Sequence, residues 1–108
     1  MSERTYNKVQ VEFFINFPRS IAGDDISCQN MQANIKDVVL DGLFAFTGRR
    51  WRCSLFTARP YSLTTQWVFT TSDITLHRLA FEEHVNTIQY KVWDLIHHMP
   101  MSHTICYF

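Results

Sequence analysis

Glycine and proline are scarce, with three of each in 108 residues. So few breakers exclude a collagen-like or low-complexity chain and point to long, uninterrupted elements. No apolar run approaches the roughly 18 residues of a membrane-spanning helix. The opening stretch, MSERTYNKVQ, lacks the apolar core of a secretion signal. Ser2 follows the first Met, where N-myristoylation needs glycine. The three cysteines, Cys28, Cys53 and Cys106, are scattered and form no CxxC, so neither a disulfide framework nor a zinc site is signalled. Reduced thiols and the missing export signals together predict an intracellular setting, cytoplasm or nucleus.

Catalytic signatures are also missing. There is no phosphate-binding glycine pattern, and Glu82-Glu83-His84 is not a zincin motif, which needs two histidines one turn apart. The five histidines, His77, His84, His97, His98 and His103, fall late in the chain without ligand spacing. No catalytic residue, cofactor or metal is therefore expected, and the chain is read as a non-enzyme. Formal net charge is zero, with ten Lys and Arg against ten Asp and Glu. Bulk charge gives no pull toward nucleic acid or anionic membrane, and little self-repulsion to resist association.

Apolar and aromatic residues are plentiful, at 46% and 15%. That is the composition of a folded domain, and at this length of one domain, residues 1–108, with residues 1–5 frayed. Val9, Val11, Phe13, Ile15 and Phe17 alternate with polar residues, so a half-buried strand runs to Pro18. Arg19 to Asp25 reads as a turn. From Ser27 to Phe46 the apolar residues Met31, Ile35, Val38, Val39, Gly42, Leu43 and Phe46 recur at helical spacing. Ser27 is the expected N-cap, with Asp24 and Asp25 as alternatives, and Gly48 is the expected stop. Gly42 inside a helix suggests that a strand approaches closely there.

The second half reads as strands followed by a helix. Arg49 to Ala58 is an alternating strand, and Arg59 to Ser62 a turn. Thr65–Thr71 and Ile74–Phe81 read as a hairpin joined at Ser72-Asp73. Glu82 to Met99 fits both periods, but its length and opening acids favour helix. The apolar tail, His103 to Phe108, is expected to add a short strand or dock on the core. The predicted fold is α+β: a mostly antiparallel sheet of four to five strands with two helices packed on it.

Two groups of side chains are candidates for binding. Arg49, Arg50, Arg52 and Arg59 interleave with Trp51 and Tyr61, so phosphates could be neutralised and bases stacked in one segment. The structural alternative is an edge strand guarded by charge, with Trp51 in the core. Phe14, Phe44 and Phe56 lie off the main apolar faces and read either as second-layer core or as anchors for a protein partner.

The order of parts resembles the folded core of rhabdovirus matrix proteins. The corresponding stretches are VQVEFFINFPRS, the helix, and TGRRWRCSLFTARPYS. Later come SDITLHRLAF and a helix carrying Val92-Trp93-Asp94-Leu95-Ile96. The chain departs from that pattern in lacking a long basic N-terminal arm and a Pro-rich late-domain motif; Arg59-Pro60-Tyr61 is not one. The resemblance implies a small viral accessory or matrix-like protein in the infected host cell. Such a protein would act without catalysis, through contacts with host or viral proteins and with itself. The alternative expectation is a small RNA- or membrane-surface-binding module using Arg49 to Tyr61.

Overall fold

The computed structural model describes residues 3–57 and 64–108. In chain order the elements are β1 (Arg4–Asn16), α1 (Arg19–Ala22), α2 (Asp25–Thr47) and β2 (Arg52–Thr57). Then follow β3 (Thr64–Leu76), α3 (Arg78–Leu95) and β4 (Met101–Tyr107). The strands form one antiparallel sheet in the order β2-β3-β1-β4. Each long helix therefore connects two strands that are parallel but separated by a third, giving two interlocked split βαβ units. The α+β class holds, with four strands, two long helices and the single turn α1 among the described residues.

The alternation read in β1 sets the layering. Val9, Val11, Phe13 and Ile15 are fully buried and meet Ile35, Val39 and Leu43 of α2 and Phe81, Val85, Ile88 and Val92 of α3 in one cluster. Burying each such side chain contributes roughly 1.5–3 kcal/mol. Among the described residues no helix lies over the opposite face, which carries Lys8, Gln10, Glu12 and Phe14.

Several boundaries differ from the sequence reading. Arg4 and Thr5, expected to fray, pair with Leu76 and Thr75. Arg19 to Ala22 closes one helical turn after Pro18. The hairpin at Ser72-Asp73 does not form: β3 runs straight through, and Arg78 to Phe81 open α3. Ser72-Asp73 still marks a real irregularity. Asp73 has φ 52°, in the left-handed region that Asp tolerates better than most residues. There the buried positions shift phase, from Thr65, Trp67 and Phe69 to Ile74 and Leu76, while pairing with β1 keeps its register. The guanidinium of Arg49 donates to the Asp73 carbonyl and holds the kink.

Caps fix both helices. Asp24, not Ser27, caps α2, accepting from the backbone N–H of Ile26 at 3.1 Å. Ser27 donates its hydroxyl to the same carboxylate at 2.8 Å and, more than any other contact, holds it below the usual carboxylate range. Gly48 ends α2 with φ 66°, the expected left-handed cap. His77, read as a strand residue, caps α3 by accepting from the Ala80 N–H through Nδ1.

Gly42 is where a close approach happens, but the neighbour is α3 rather than a strand. A Cβ there would lie 2.8 Å from Ile88 Cγ1 and 2.9 Å from its Cδ1. One turn earlier on α3, His84 Nε2 donates to the Gly42 carbonyl at 2.7 Å. The helix propensity lost at glycine, about 1 kcal/mol, is offset by the burial of Ile88, which is 1% exposed. Gly42→Ala is therefore expected to lower stability by about 1 kcal/mol, since overpacking of about 1–3 kcal/mol exceeds the propensity gain. Denaturant melts of Gly42→Ala, Ile88→Val and the double variant check this: the loss should shrink when Ile88 is already trimmed.

At the other flank, β4 is only half covered. Met101, His103, Ile105 and Tyr107 face the helix side yet remain partly exposed. His103 Nδ1 donates to Gln89 Oε1, and burial lowers its pKa below the usual value of 6.5, with Glu82 opposing. The unfolded chain then binds a proton that the fold resists. The contribution of neutral His103 is complete above about pH 6.5 and is lost as pH falls toward the folded value. The thermal midpoint is expected to drop over that acid window, and His103→Gln should flatten the drop in a pH series of melts.

Candidate interaction surface on the open face of the sheet

Strand register places the open-face side chains in rows. Phe14 of β1 pairs with Gln66 of β3, which pairs with Phe56 of β2; Glu12, Val68 and Ser54 form the next row. Gln10, Thr70 and Arg52 follow, and then Lys8 and Ser72. Phe14 is 39% exposed and Phe56 54%. Two strand spacings separate them, about 10 Å. That distance allows two planar groups to lie splayed apart and is too wide to sandwich one.

The lower rows form a basic corner. Lys8, Arg50, Arg52, Thr70, Thr71 and Ser72 line a concavity of about 520 Å³. Thr71 Oγ1 donates to the Arg50 carbonyl at 3.3 Å, tying the segment before β2 to the sheet. Lys8 Nζ stands 5.4 Å from the Phe108 ring. Three cations thus meet hydroxyls, while the sole carboxylate of the described open-face rows, Glu12, accepts from Gln66 Nε2. The two long helices carry the opposite balance: Asp25, Asp37, Asp41, Glu82, Glu83 and Asp94 against Lys36, Arg78 and Lys91. A net charge of zero therefore conceals a separation of charge between the two sides of the molecule.

The residues singled out in the sequence divide accordingly. Arg50, Arg52, Phe14 and Phe56 come together on the open face. Arg49 is spent on the Asp73 carbonyl. Trp51 is corrected: it is 7% exposed, stacks on Phe81 with ring centres 5.9 Å apart, and donates from Nε1 to Thr47 Oγ1 at 3.1 Å. Its ring belongs to the core and offers no platform to a ligand. Phe44 is 51% exposed on α2, in the helix layer away from Phe14 and Phe56. Arg59 and Tyr61 lie outside the described residues. Lys8, Thr70 and Ser72 were missed. Lys8 sits on the polar phase of β1, a usable signal, but only the β1–β3 register reveals that it joins the arginines.

Elsewhere the titratable groups serve structure. His84 ties α3 to α2, and His98 Nε2 donates to Asp94 Oδ1 at 2.9 Å while its ring stacks on Trp93. Burial pushes the Cys53 thiol up, away from reactive thiolate. Burial also raises the Tyr107 phenol, which donates to Glu82 Oε1 at 3.1 Å. Among the described residues no three His, Cys, Asp or Glu side chains are placed to hold a metal ion, and no helix is long and apolar enough to cross a membrane.

The division of Trp51 from Arg52 is checked by stability. Trp51→Ala should cost about 3–5 kcal/mol, as for large aromatics lost from cores. Arg52→Ala should change stability by no more than about 0.5 kcal/mol, as at exposed sites generally. Denaturant unfolding of both variants reads this directly.

No family model matches the chain, and no curated protein does. Among solved structures, a dimeric ferredoxin-like protein from an uncultured marine organism is similar at a TM-score of 0.52, over 97% of this chain and 96% of that one. The two sequences are 8% identical, so the likeness is one of fold: this chain has a ferredoxin-like fold.

Proposed function

We propose that this protein is a binding module, without chemistry of its own, that takes single-stranded nucleic acid such as RNA on the open face of its sheet. The observation that carries the proposal is the convergence of Lys8, Arg50 and Arg52 with Phe14 and Phe56 on the one face no helix covers. Cations and hydroxyls in the corner suit phosphates. Exposed rings at the two ends of one row suit unstacked bases, the division of labour by which four-stranded sheets hold single strands. The charge separation answers the objection from net charge, because a strand on the open face meets the cations while the helix-borne carboxylates lie behind the sheet. The structural neighbour is a dimer by its description, and we carry self-association to this chain as part of the proposal, since two copies would offer two faces to one strand.

A second reading is favoured by Phe14, Phe56 and the half-exposed Val68 alone: a host or viral protein seated on the same face, as the matrix-like, accessory-protein resemblance implies. The two readings differ in salt dependence and in their need for the arginines.

Anisotropy of a labelled single-stranded oligonucleotide, titrated over a salt series, tests the choice. With three cations on phosphates the log–log slope should be about −2, at roughly 0.7 per phosphate. Arg50→Glu with Arg52→Glu should abolish binding, and Phe14→Ala and Phe56→Ala should each weaken it about 5- to 150-fold, the range for one stacked base. No binding at low salt, or binding indifferent to the arginines, would leave the protein-partner reading instead.

A further inference from the structure

The two edges of the sheet are guarded very differently. β2, RCSLFT, opens on Arg52, and Arg50 stands two residues before it, so charge guards its first end. β4 reads MSHTICY, with no Lys, Arg, Asp, Glu or Pro in the whole strand. Edge strands of monomeric proteins are ordinarily blunted by charge, proline or cover, because an open row of N–H and C=O groups will pair with another strand.

Which groups are open follows from the ladder. Lys8 and Phe108 exchange both backbone bonds, with Lys8 O accepting at 2.8 Å and Lys8 N donating at 3.4 Å. Antiparallel ladders alternate, so Cys106, Thr104 and Ser102 turn their backbone bonds toward β1. Met101, His103, Ile105 and Tyr107 then turn theirs outward. Their side chains face the helix layer, where α3 covers them only in part. Along that flank lie two shallow depressions, one bounded by Gln89, Tyr90, Trp93 and Met101, the other by Glu82, Asn86, His103 and Ile105. Tyr90 is 68% exposed.

We infer that β4 pairs antiparallel with β4 of a second copy, about a two-fold axis through Thr104, extending the four-stranded sheet into one continuous sheet across the dimer. This names the interface for the self-association carried in the binding reading. The register is self-consistent. Centred on Thr104, it sets His103 against the partner's Ile105 and Met101 against the partner's Tyr107. All four outward residues then exchange both their backbone bonds, and no donor or acceptor of the edge is left over. A centre one residue away on either side would pair each outward residue with another outward residue too. It would, however, leave Met101 or Tyr107 hanging past the end of its partner strand. The antiparallel sense also sends the two Arg78–Glu82 ion pairs to opposite ends of the paired strands, so like charges do not meet. The partner's helix layer closes over Tyr90, which a monomer leaves exposed, and over the half-buried Trp93 beside it. The basic corner stays clear, because it lies on the open face across β1, β3 and β2, while the partner adds its strands beyond β4 in the plane of the sheet.

Cross-linking tests the axis. Thr104 faces its own copy in a position without mutual backbone bonds, with Cα atoms about 4.5 Å apart, inside the span a disulfide bridges, about 4.4–6.8 Å. In a background with Cys106→Ser, Thr104→Cys should give a covalent dimer on mild oxidation, while Ser54→Cys on the β2 edge should not. Sedimentation of the unmodified protein over a concentration series should show a dimer. Thr104→Lys should make it a monomer, because like charges then meet on the axis, and its circular dichroism should stay unchanged. A wild-type monomer at all concentrations, or no cross-link at residue 104, would overturn the inference and return the edge to some other extended chain. A dimer that binds no oligonucleotide would sink the nucleic-acid reading and leave this one intact. A Thr104→Lys monomer that still binds oligonucleotide supports it, since the pairing edge is then broken with the binding face intact.

Discussion

The molecule turns on the seat of α3 against α2 at Gly42. Because residue 42 has no Cβ, Ile88 enters the space one would fill, and His84 reaches the Gly42 carbonyl. The helices can therefore stand close together over the centre of the sheet. Their shared cluster fills the space above β1 and β3 to full burial. A broader side chain at position 42 would push α3 outward, toward β4. The one glycine thus bears on core density, on helix spacing and on how much of the edge strand is left uncovered.

From that packing come two surfaces of different character. Both long helices lie on one face, so the other face carries its side chains into solvent. There Lys8, Arg50 and Arg52 gather with hydroxyls, and Phe14 and Phe56 stand clear of the core. The carboxylates ride mainly on the helices. The inward lean of α3 leaves β4 half covered at its flank, with an edge that no charge protects. One surface suits a ligand of phosphates and planar bases, the other a second backbone. They occupy different sides of the sheet and need not compete.

Much of the fold was legible because periodicity reports burial. Alternation from Val9 to Phe17 marks β1, the stripe from Met31 to Leu43 marks α2, and the apolar tail marks β4. Where local signals failed, tertiary pairing had overruled them. Ser72-Asp73 looks like a turn, and Asp73 does adopt a turn-like φ, but pairing with β1 carries the strand through it. Arg78 to Phe81 can alternate as a strand or open a helix; the His77 cap and the burial of Phe81 decide for helix. Gly42 signals close approach, yet nothing local says that the neighbour is a helix. The site was half legible. Arg50 and Arg52 stand out by composition, but Trp51 between them is core, which only the Phe81 stack reveals. Lys8 enters the site across the register of β1 and β3, some sixty residues away in sequence from its partners on β3.

The central claim is that the helices shut one face of the sheet and leave the other as the working surface. Backbone amide shifts, followed by NMR during titration with a short single-stranded RNA at low salt, map that surface residue by residue. Perturbations confined to Lys8, Gln10, Phe14, Arg50, Arg52, Phe56 and Thr70, with α2 and the outer side of α3 silent, are the expected result. Perturbations centred on the helices, with the open face unmoved, would contradict it.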